Sequence, residues 1–428
     1  MPPGPTKTLL VLSATFPPDA PAVGQHMADV GEAMAARGWR VVVVAADRAY
    51  DNPAIRFPAR EIYRGMDVRR VPFASFGKRS ILTRALGMAF YLVQAMAYAL
   101  CVRNVGAMIV STSPPLCGVV ASIARLVRGV PFLYWMMDLN PDQIVALGKA
   151  RPSSPLVRIF DAMQRFILRR AARVVVLDRF MADRLRRKHD PGDALLVIPP
   201  WAHDEPDQPL AHGDNPFRAT LAPPDSFVVM YSGNHGYSTP VSAMLDAAAL
   251  LAQGDATDRR ALFVFVGGGV RKGEVDERLR TTNPPNVKSL PYQPLERLRE
   301  SLSAADVHVV TMDAHVVGMV HPCKIYGAMA IARPILVVGP DECHATDILW
   351  GGSIGWHARD ATPHAIAESV RAAMRTPAAD LASMGLAAKR LADTKYARAT
   401  SLGRLCDELE SIAGAGQVAA SEHPRATP

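Results

Sequence analysis

The stretch Gly318–Pro340, GMVHPCKIYGAMAIARPILVVGP, sets a short helix immediately before a buried strand, and that order decides the fold. Pro322 suits a first helical position, and the CKIYGAMA run places Ile325, Ala328 and Met329 on one face at helical spacing, a face that should lie on a sheet. Arg333-Pro334 ends the helix, and Ile335 to Val338 is an apolar run bounded by Pro and Gly, the pattern of a fully buried parallel strand. Lys324 falls in the first helical turn, where a cation opposes the macrodipole at a cost of roughly 0.3–1 kcal/mol. An anion between the ammonium and free helix N–H groups reverses that sign, so the spacing predicts a phosphate pocket; a solvated surface lysine is the alternative.

Working outward, 428 residues of ordinary globular composition, 49% hydrophobic and 21% charged, exceed one typical domain, and two are expected. The net charge of +8 favours an anionic partner: a nucleotide, a phosphosugar, nucleic acid or an anionic membrane face. Cys101, Cys117, Cys323, Cys343 and Cys406 are odd in number and scattered without CxxC spacing, so neither a disulfide framework nor a zinc site is indicated, and a reducing cytosol fits. The apolar run in MPPGPTKTLLVLSATFPP is too short for a secretory segment and reads as a first strand. Gly87 to Val102, GMAFYLVQAMAYALCV, is uncharged between Arg84 and Arg103 but falls short of the ~20 residues that span a bilayer. It reads as a buried core helix, or as one partly exposed for membrane contact, since its arginine flanks and Phe90, Tyr91 and Tyr98 also suit an interface.

In chain order, a strand at Thr8–Ser13 runs into a Pro- and Gly-containing loop, then a helix with Met27, Val30 and Met34 inward and the strand Arg40–Ala46. A polar segment, residues 51–73, precedes the uncharged helix. Strands at Ala107–Thr112 and Phe132–Met136 follow, and Asp138 leaves the second of them; it is placed either for chemistry or, like Asp142, as a helix cap. A basic amphipathic helix (156–172), the strand Arg173–Leu177, a basic stretch from Arg184 and the strand Leu195–Ile198 complete a first domain, 1–200. A Pro-rich connector, 201–225, leads to a second run of alternating strands and helices, 226–398. A last helix within 399–415 is expected to return to the first domain, and 416–428 reads as a disordered tail. The fold class is therefore α/β, with two parallel-sheet domains.

Three loops of the second half gather glycine and donors after strands or at a helix start: Ser232–Gly236 (SGNHG), Gly267–Gly269 and His321–Lys324. Such loops offer N–H groups to phosphates, and His235 and His321 are either further donors or solvated loop histidines. None matches the P-loop pattern or GxGxxG, so neither an ATPase nor a dinucleotide oxidoreductase is supported.

Read together, these residues resemble the retaining, nucleotide-sugar-dependent glycosyltransferases of family 4, with the GT-B fold of two Rossmann-like domains about an interdomain cleft. The resemblance spans nearly the whole chain: FPPDAPAVGQHMADVGEAMAARGWRVVVV, SPPLCGVVA, PFLYWMMDLNPD, RRAARVVVLDRFMADRL and VIPPWAHD, then MYSGNHG, FVFVGGG, SLSAADVHVV and PCKIYGAMAIARPIL. The middle landmarks are those of the bacterial polysaccharide-assembling branch. The resemblance implies transfer from a nucleotide-diphosphate sugar to a glycan, lipid-linked acceptor, without cofactor or bound metal; the cysteine pattern, the net charge and the uncharged helix add a cytoplasmic location and peripheral contact with an anionic membrane, direct or through a partner. It places the diphosphate near Gly24, Asn234 and His321–Lys324, the base near Gly267, Gly268, Gly269 and Tyr292, and Asp138 beside the reacting sugar. Asp138 and Lys324 are thus the expected catalytic residues, and Gly233, His235, Gly236 and Tyr326 complete the expected donor site. The family's two glutamates, seven residues apart, correspond here to Met319 and Gly327, and its Arg and Lys after the second domain's first strand to Asn234 and the Ser238-Thr239 region. A nucleotide-sugar 2-epimerase of the same fold and a non-catalytic sugar-nucleotide-binding partner are the alternatives. Nucleic-acid binding rests on pI and the Arg169–Lys188 charge clusters alone and is not expected.

Overall fold

The computed structural model describes residues 7–19, 21–49, 52–74, 81–202 and 209–421. The chain divides into two compact units, residues 1–199 with 399–428 and residues 200–398. Both are Rossmann-like α/β units.

The first unit holds β1 (Thr8–Leu12), α1 (Ala22–Ala36), β2 (Arg40–Ala46), β3 (Arg60–Tyr63), β4 (Met66–Val71), α2 (Ile81–Cys101), β5 (Val105–Ser111) and α3 (Cys117–Arg128). It continues with β6 (Phe132–Trp135), α4 (Asp142–Ala146), α5 (Pro155–Leu168), β7 (Arg173–Val176), α6 (Arg179–His189) and β8 (Leu195–Val197). The sheet order is β3-β4-β2-β1-β5-β6-β7-β8, parallel except for the β3–β4 hairpin. β1, β2 and β5 are apolar runs buried on both faces, as a doubly covered parallel sheet requires. The order reverses between β1 and β5, and ligands of such sheets bind outside the carboxyl ends of the strands at that point.

The polar segment 51–73, to which the sequence assigned no element, holds β3 and β4. Their charges make the edge: Arg60 donates to both Asp67 oxygens at 2.7 and 3.0 Å, and Arg70 to Glu61 at 2.7 Å. Charge on an edge strand blocks pairing with another chain, so polarity here belongs to a strand. The C-terminal helix, Arg398–Ser421, closes this unit: Arg37 bonds Asp407 at 2.7 Å and Glu410 at 2.9 Å, and Arg173 bonds Glu408 at 2.6 Å. It runs through residues 416–421, which were expected to be disordered; 422–428 lie outside the described residues.

The second unit comprises α7 (Pro216–Leu221), β9 (Phe227–Ser232), α8 (Val241–Ala252), β10 (Ala261–Val266), α9 (Lys272–Thr282), β11 (Val287–Leu290), α10 (Leu298–Ser303) and β12 (Val307–Thr311). It ends with α11 (Lys324–Ala330), β13 (Ile335–Val338), α12 (His344–Gly352), β14 (Gly355–Ala358), α13 (Pro363–Arg375) and α14 (Ala378–Asp393). Its six strands are all parallel in the order β11-β10-β9-β12-β13-β14. Period-two alternation builds its two cores: Val229, Tyr231, Phe263 and Phe265 face α8 and α13, while Val228, Met230, Val264 and Val266 face α7 and Ala304–Ala305. The order reverses between β9 and β12, which places the loops after β9, β10 and β12 around one crevice.

Within the segment read as a connector, residues 203–208 lie outside the described residues, but 209–222 are part of this unit. Asn215 caps α7 by accepting from the Phe217 and Arg218 N–H groups at 3.0 and 3.2 Å. Arg218, buried, donates to Asp306 at 2.9 Å and to the Ala304 and Ser226 carbonyls at 2.6 and 2.8 Å.

Candidate functional site

The switch point of the second unit gathers the loops that the sequence singled out. β9 delivers Tyr231, buried, whose hydroxyl donates to the Asn234 carbonyl at 2.9 Å and lies 3.0 Å from Thr239 Oγ1. That contact folds Gly233–Gly236 into a tight turn over the strand end. His235 N–H donates to the Gly268 carbonyl at 2.7 Å and its ring Nδ1 to the same oxygen at 3.2 Å, which joins the first glycine loop to the second. Gly267 has φ +120° and a side chain there would lie 2.2 Å from the Gly233 carbonyl oxygen, so only glycine lets the two loops meet. Tyr292, exposed, lies over Gly267 and Gly268 at the end of β11, and Gly269 faces Asn234.

Lys324 supplies the charge. Its Nζ stands 3.8 Å from the Tyr231 ring centroid, donates to the Tyr231 hydroxyl and lies 3.4 Å from the Asn234 carbonyl. No carboxylate among the described residues pairs with it. The neighbouring cations are already engaged: Arg271 by Glu274 at 2.5 Å and Lys272 by the Phe265 and Leu290 carbonyls at 2.6 and 3.0 Å. Burial holds the Lys272 ammonium down at about 8.

Two expectations are corrected here. α11 begins at Lys324 rather than Pro322 and is seven residues long, and most N–H groups of its first turn are already bonded within the chain. Ile325 N–H donates to the Pro322 carbonyl and Tyr326 N–H to that of Cys323, while Cys323 N–H donates to the His321 carbonyl, so the positive charge of this turn is carried chiefly by the Lys324 side chain. His235 is not a solvated loop histidine: its ring is buried 4.8 Å from the Tyr231 ring, and burial, then Lys272, push it down to about 4. It is neutral at pH 7 and fixes the loop.

Tyr326 and His321 lie together but in a separate arrangement. The Tyr326 hydroxyl is held between His321 Nε2 at 2.8 Å and His344 Nε2 at 2.9 Å, with Tyr326 itself buried beside Tyr396. Met319 is buried, and Gly327 has only Leu302 within reach of an added Cβ, at 3.6 Å. Tyr231, which seats Lys324 and, with Thr239, the turn, is the residue that sequence reasoning missed; the one signal was a tyrosine late in an apolar strand, just before SGN.

In the first unit, Gly24 is the third residue of α1, and an added Cβ would lie 2.8 Å from the Thr15 carbonyl group, so its own chain makes the close approach there. Asp138 leaves β6 half-buried, its N–H and that of Met137 each donating to Thr112 Oγ1 at 3.2 Å. Neither Asp138 nor Asp142 caps the next helix; Asp142 instead binds Lys188 at 2.6 Å and Arg184 at 3.4 Å. Burial pushes the Asp138 carboxyl up to about 6. A folded-state value above the unfolded one favours the native state below pH ~4, and that contribution is lost as pH rises through about 6. Asp138→Asn is therefore expected to stabilise the fold at pH 7–8 by on the order of 2 kcal/mol, seen as a higher melting temperature, and not at pH 4. Equal shifts at both pH values would refute a buried, reluctant carboxylate.

Residues 22–201 match the family model of a glycosyl transferase 4-like domain, and residues 226–376 that of glycosyl transferases group 1. The chain is 23% identical over 374 residues to the probable glycosyltransferase WbjE of Pseudomonas aeruginosa, covering 85% of this chain and 91% of that one. It is also 23% identical over 336 residues to the putative colanic acid biosynthesis glycosyl transferase WcaI of Escherichia coli K12, covering 76% and 81%. Among solved structures, HepE of Anabaena in complex with UDP-glucose superposes with a TM-score of 0.69 at 14% identity, covering 94% of this chain and 99% of that one.

Proposed function

The chain belongs to the GT-B glycosyltransferases, and from that premise we propose that it moves a sugar from a nucleotide-diphosphate donor to a lipid-linked glycan acceptor in surface-polysaccharide assembly. The second unit takes the donor and the first the acceptor, at the cytoplasmic face of a membrane. The carrying observation is the Lys324 ammonium, seated on Tyr231 and Asn234 at the switch point with no carboxylate among the described residues to neutralise it. A fixed cation of this kind stabilises charge that develops on a departing diphosphate, which is the service a metal would otherwise supply. The anomeric configuration is retained, as in the family that the sequence resembles, and Asp138 acts beside the reacting sugar. The reading of donor and acceptor class is supported by HepE, solved with UDP-glucose, and by WcaI, described as a colanic acid biosynthesis enzyme.

A thermal-shift panel of UDP, GDP, ADP, CMP and their sugar conjugates tests it, because a ligand that binds only the native state raises apparent stability, by about 2.7 kcal/mol at one hundred times Kd. One base is expected to shift the melting curve selectively. If no nucleotide shifts a demonstrably folded protein, the donor reading fails; a selective shift without transfer to any acceptor would identify a binding partner in place of an enzyme.

A further inference from the structure

α2 is apolar on two opposite faces. Tyr91, Ala95 and Ala99 are buried, with Tyr91 donating its hydroxyl to the Val44 carbonyl at 2.9 Å. The outward face carries Leu86 and Phe90, each 47% exposed, and Val93, 71% exposed, with Ala85, Ala89 and Ala97 between them. Phe73, 54% exposed, extends the face through a ring contact with Phe90 at 6.1 Å. A surface helix ordinarily turns charged residues to water, and here an exposed apolar stripe runs for several turns in their place. Such a stripe marks an interaction surface.

The charge around it decides what covers it. From Val68 to Met137 the chain contains arginines and lysines but no Asp or Glu. α2 packs on α3 and α3 on α5, so the three form one helical layer. α3 adds exposed Leu126 and Val127, and α5 adds exposed Leu156 and Ile159. At the end of α5, Arg165, which lies 3.8 Å from Asp161, and just beyond the helix Arg169 and Arg170 line a groove of about 460 Å³. Apolar side chains for an acyl boundary, guanidinium groups for headgroup phosphates and an absence of carboxylates across α2 and α3 together complement an anionic lipid surface. A second copy of this chain would bury the apolar stripe but would bring the same positive charge against itself. Among the described residues no helix is long and apolar enough to cross a membrane, so the contact is one of lying on the surface.

We infer that the outward face of α2, with the arginines at the end of α5, seats the first unit on an anionic membrane surface. This deepens the proposed function by naming the face that meets the membrane, and it rests on that reading for its biological sense, but its test needs no turnover. The full chain is floated with vesicles of phosphatidylcholine alone and with vesicles containing phosphatidylglycerol. Binding is expected only to the anionic vesicles, to weaken as salt rises, and to fall at least tenfold in the double variant Phe90→Ser/Val93→Ser. Arg165→Ala/Arg169→Ala should weaken binding at low salt and flatten its salt dependence. Both variants change exposed side chains, and their nucleotide-induced thermal shift, if the wild type shows one, should be unaltered. No flotation of the wild type, or flotation that the α2 variant leaves unchanged, overturns the inference. Concentration-dependent dimerisation abolished by Phe90→Ser/Val93→Ser, without vesicle binding, would assign the face to a second copy instead.

Discussion

Lys324→Ala is expected to lower turnover by about 10²–10³-fold while leaving the fold intact, the loss typical of removing one preorganised stabiliser of transition-state charge. An ammonium has three N–H donors, and Tyr231 and Asn234 occupy two directions while the Tyr231 ring holds the charge from below. The remaining direction and the unneutralised charge are what a leaving diphosphate would meet. Because the help is greatest when the sugar–phosphate bond is breaking, kcat and kcat/KM should fall together. The cation–π contact contributes only about 0.5–1 kcal/mol, so the melting temperature should move little. Unchanged turnover would remove Lys324 from the chemistry; a large loss of stability with proportionate loss of activity would make it a structural residue.

The largest stability effect should come from Arg218→Ala. The Arg218 guanidinium is nearly enclosed and spends its donors on Asp306 and two carbonyls, and Asp306 also accepts from the Val228 N–H at 2.7 Å. Removing the cation strands the Ala304 and Ser226 carbonyls and leaves the partly buried Asp306 carboxylate with only the Val228 N–H and His212, 3.5 Å away, and breaking such a pair typically costs about 3–5 kcal/mol. In a unit of roughly this size each kcal/mol moves the melting temperature by about 2–4 °C, so a drop on the order of 10 °C is expected in the transition of the second unit. A loss below about 1 kcal/mol in chemical denaturation would show that solvent reaches Asp306 and replaces the arginine.

The same arginine shows why part of the fold could not be read from the sequence. Residues 201–225 look like a connector because they are rich in proline and polar side chains, yet Arg218 is bonded to a residue 88 positions away. Composition reports what a side chain is, and only the fold reports which partner satisfies it. β3 and β4 were hidden likewise, since Arg60, Glu61 and Asp67 look like a solvated loop until they pair across the hairpin. By contrast, β2, β10 and β13 were legible because burial on both faces demands an uninterrupted apolar run. The glycine loops were legible as loops, and their convergence follows from a strand order that local pattern does not encode. Lys324 was found for an incomplete reason: its position at a helix start drew notice, but the Tyr231 ring and hydroxyl explain its seat better than a first turn whose Ile325 and Tyr326 N–H groups are already bonded.

The return of the last helix to the first unit has a consequence for biosynthesis. Arg37 and Arg173 find Asp407, Glu410 and Glu408 only after the ribosome has made residues 200–398. Domains generally fold in order of emergence, but here residues 200–398 are a continuous segment and can complete their fold while the first unit still waits for its closing helix. The first unit thus passes through translation with the flank of α1 and the Arg173 end of β7 uncovered. In a nascent chain it is therefore the amino-terminal half, although made first, that finishes last.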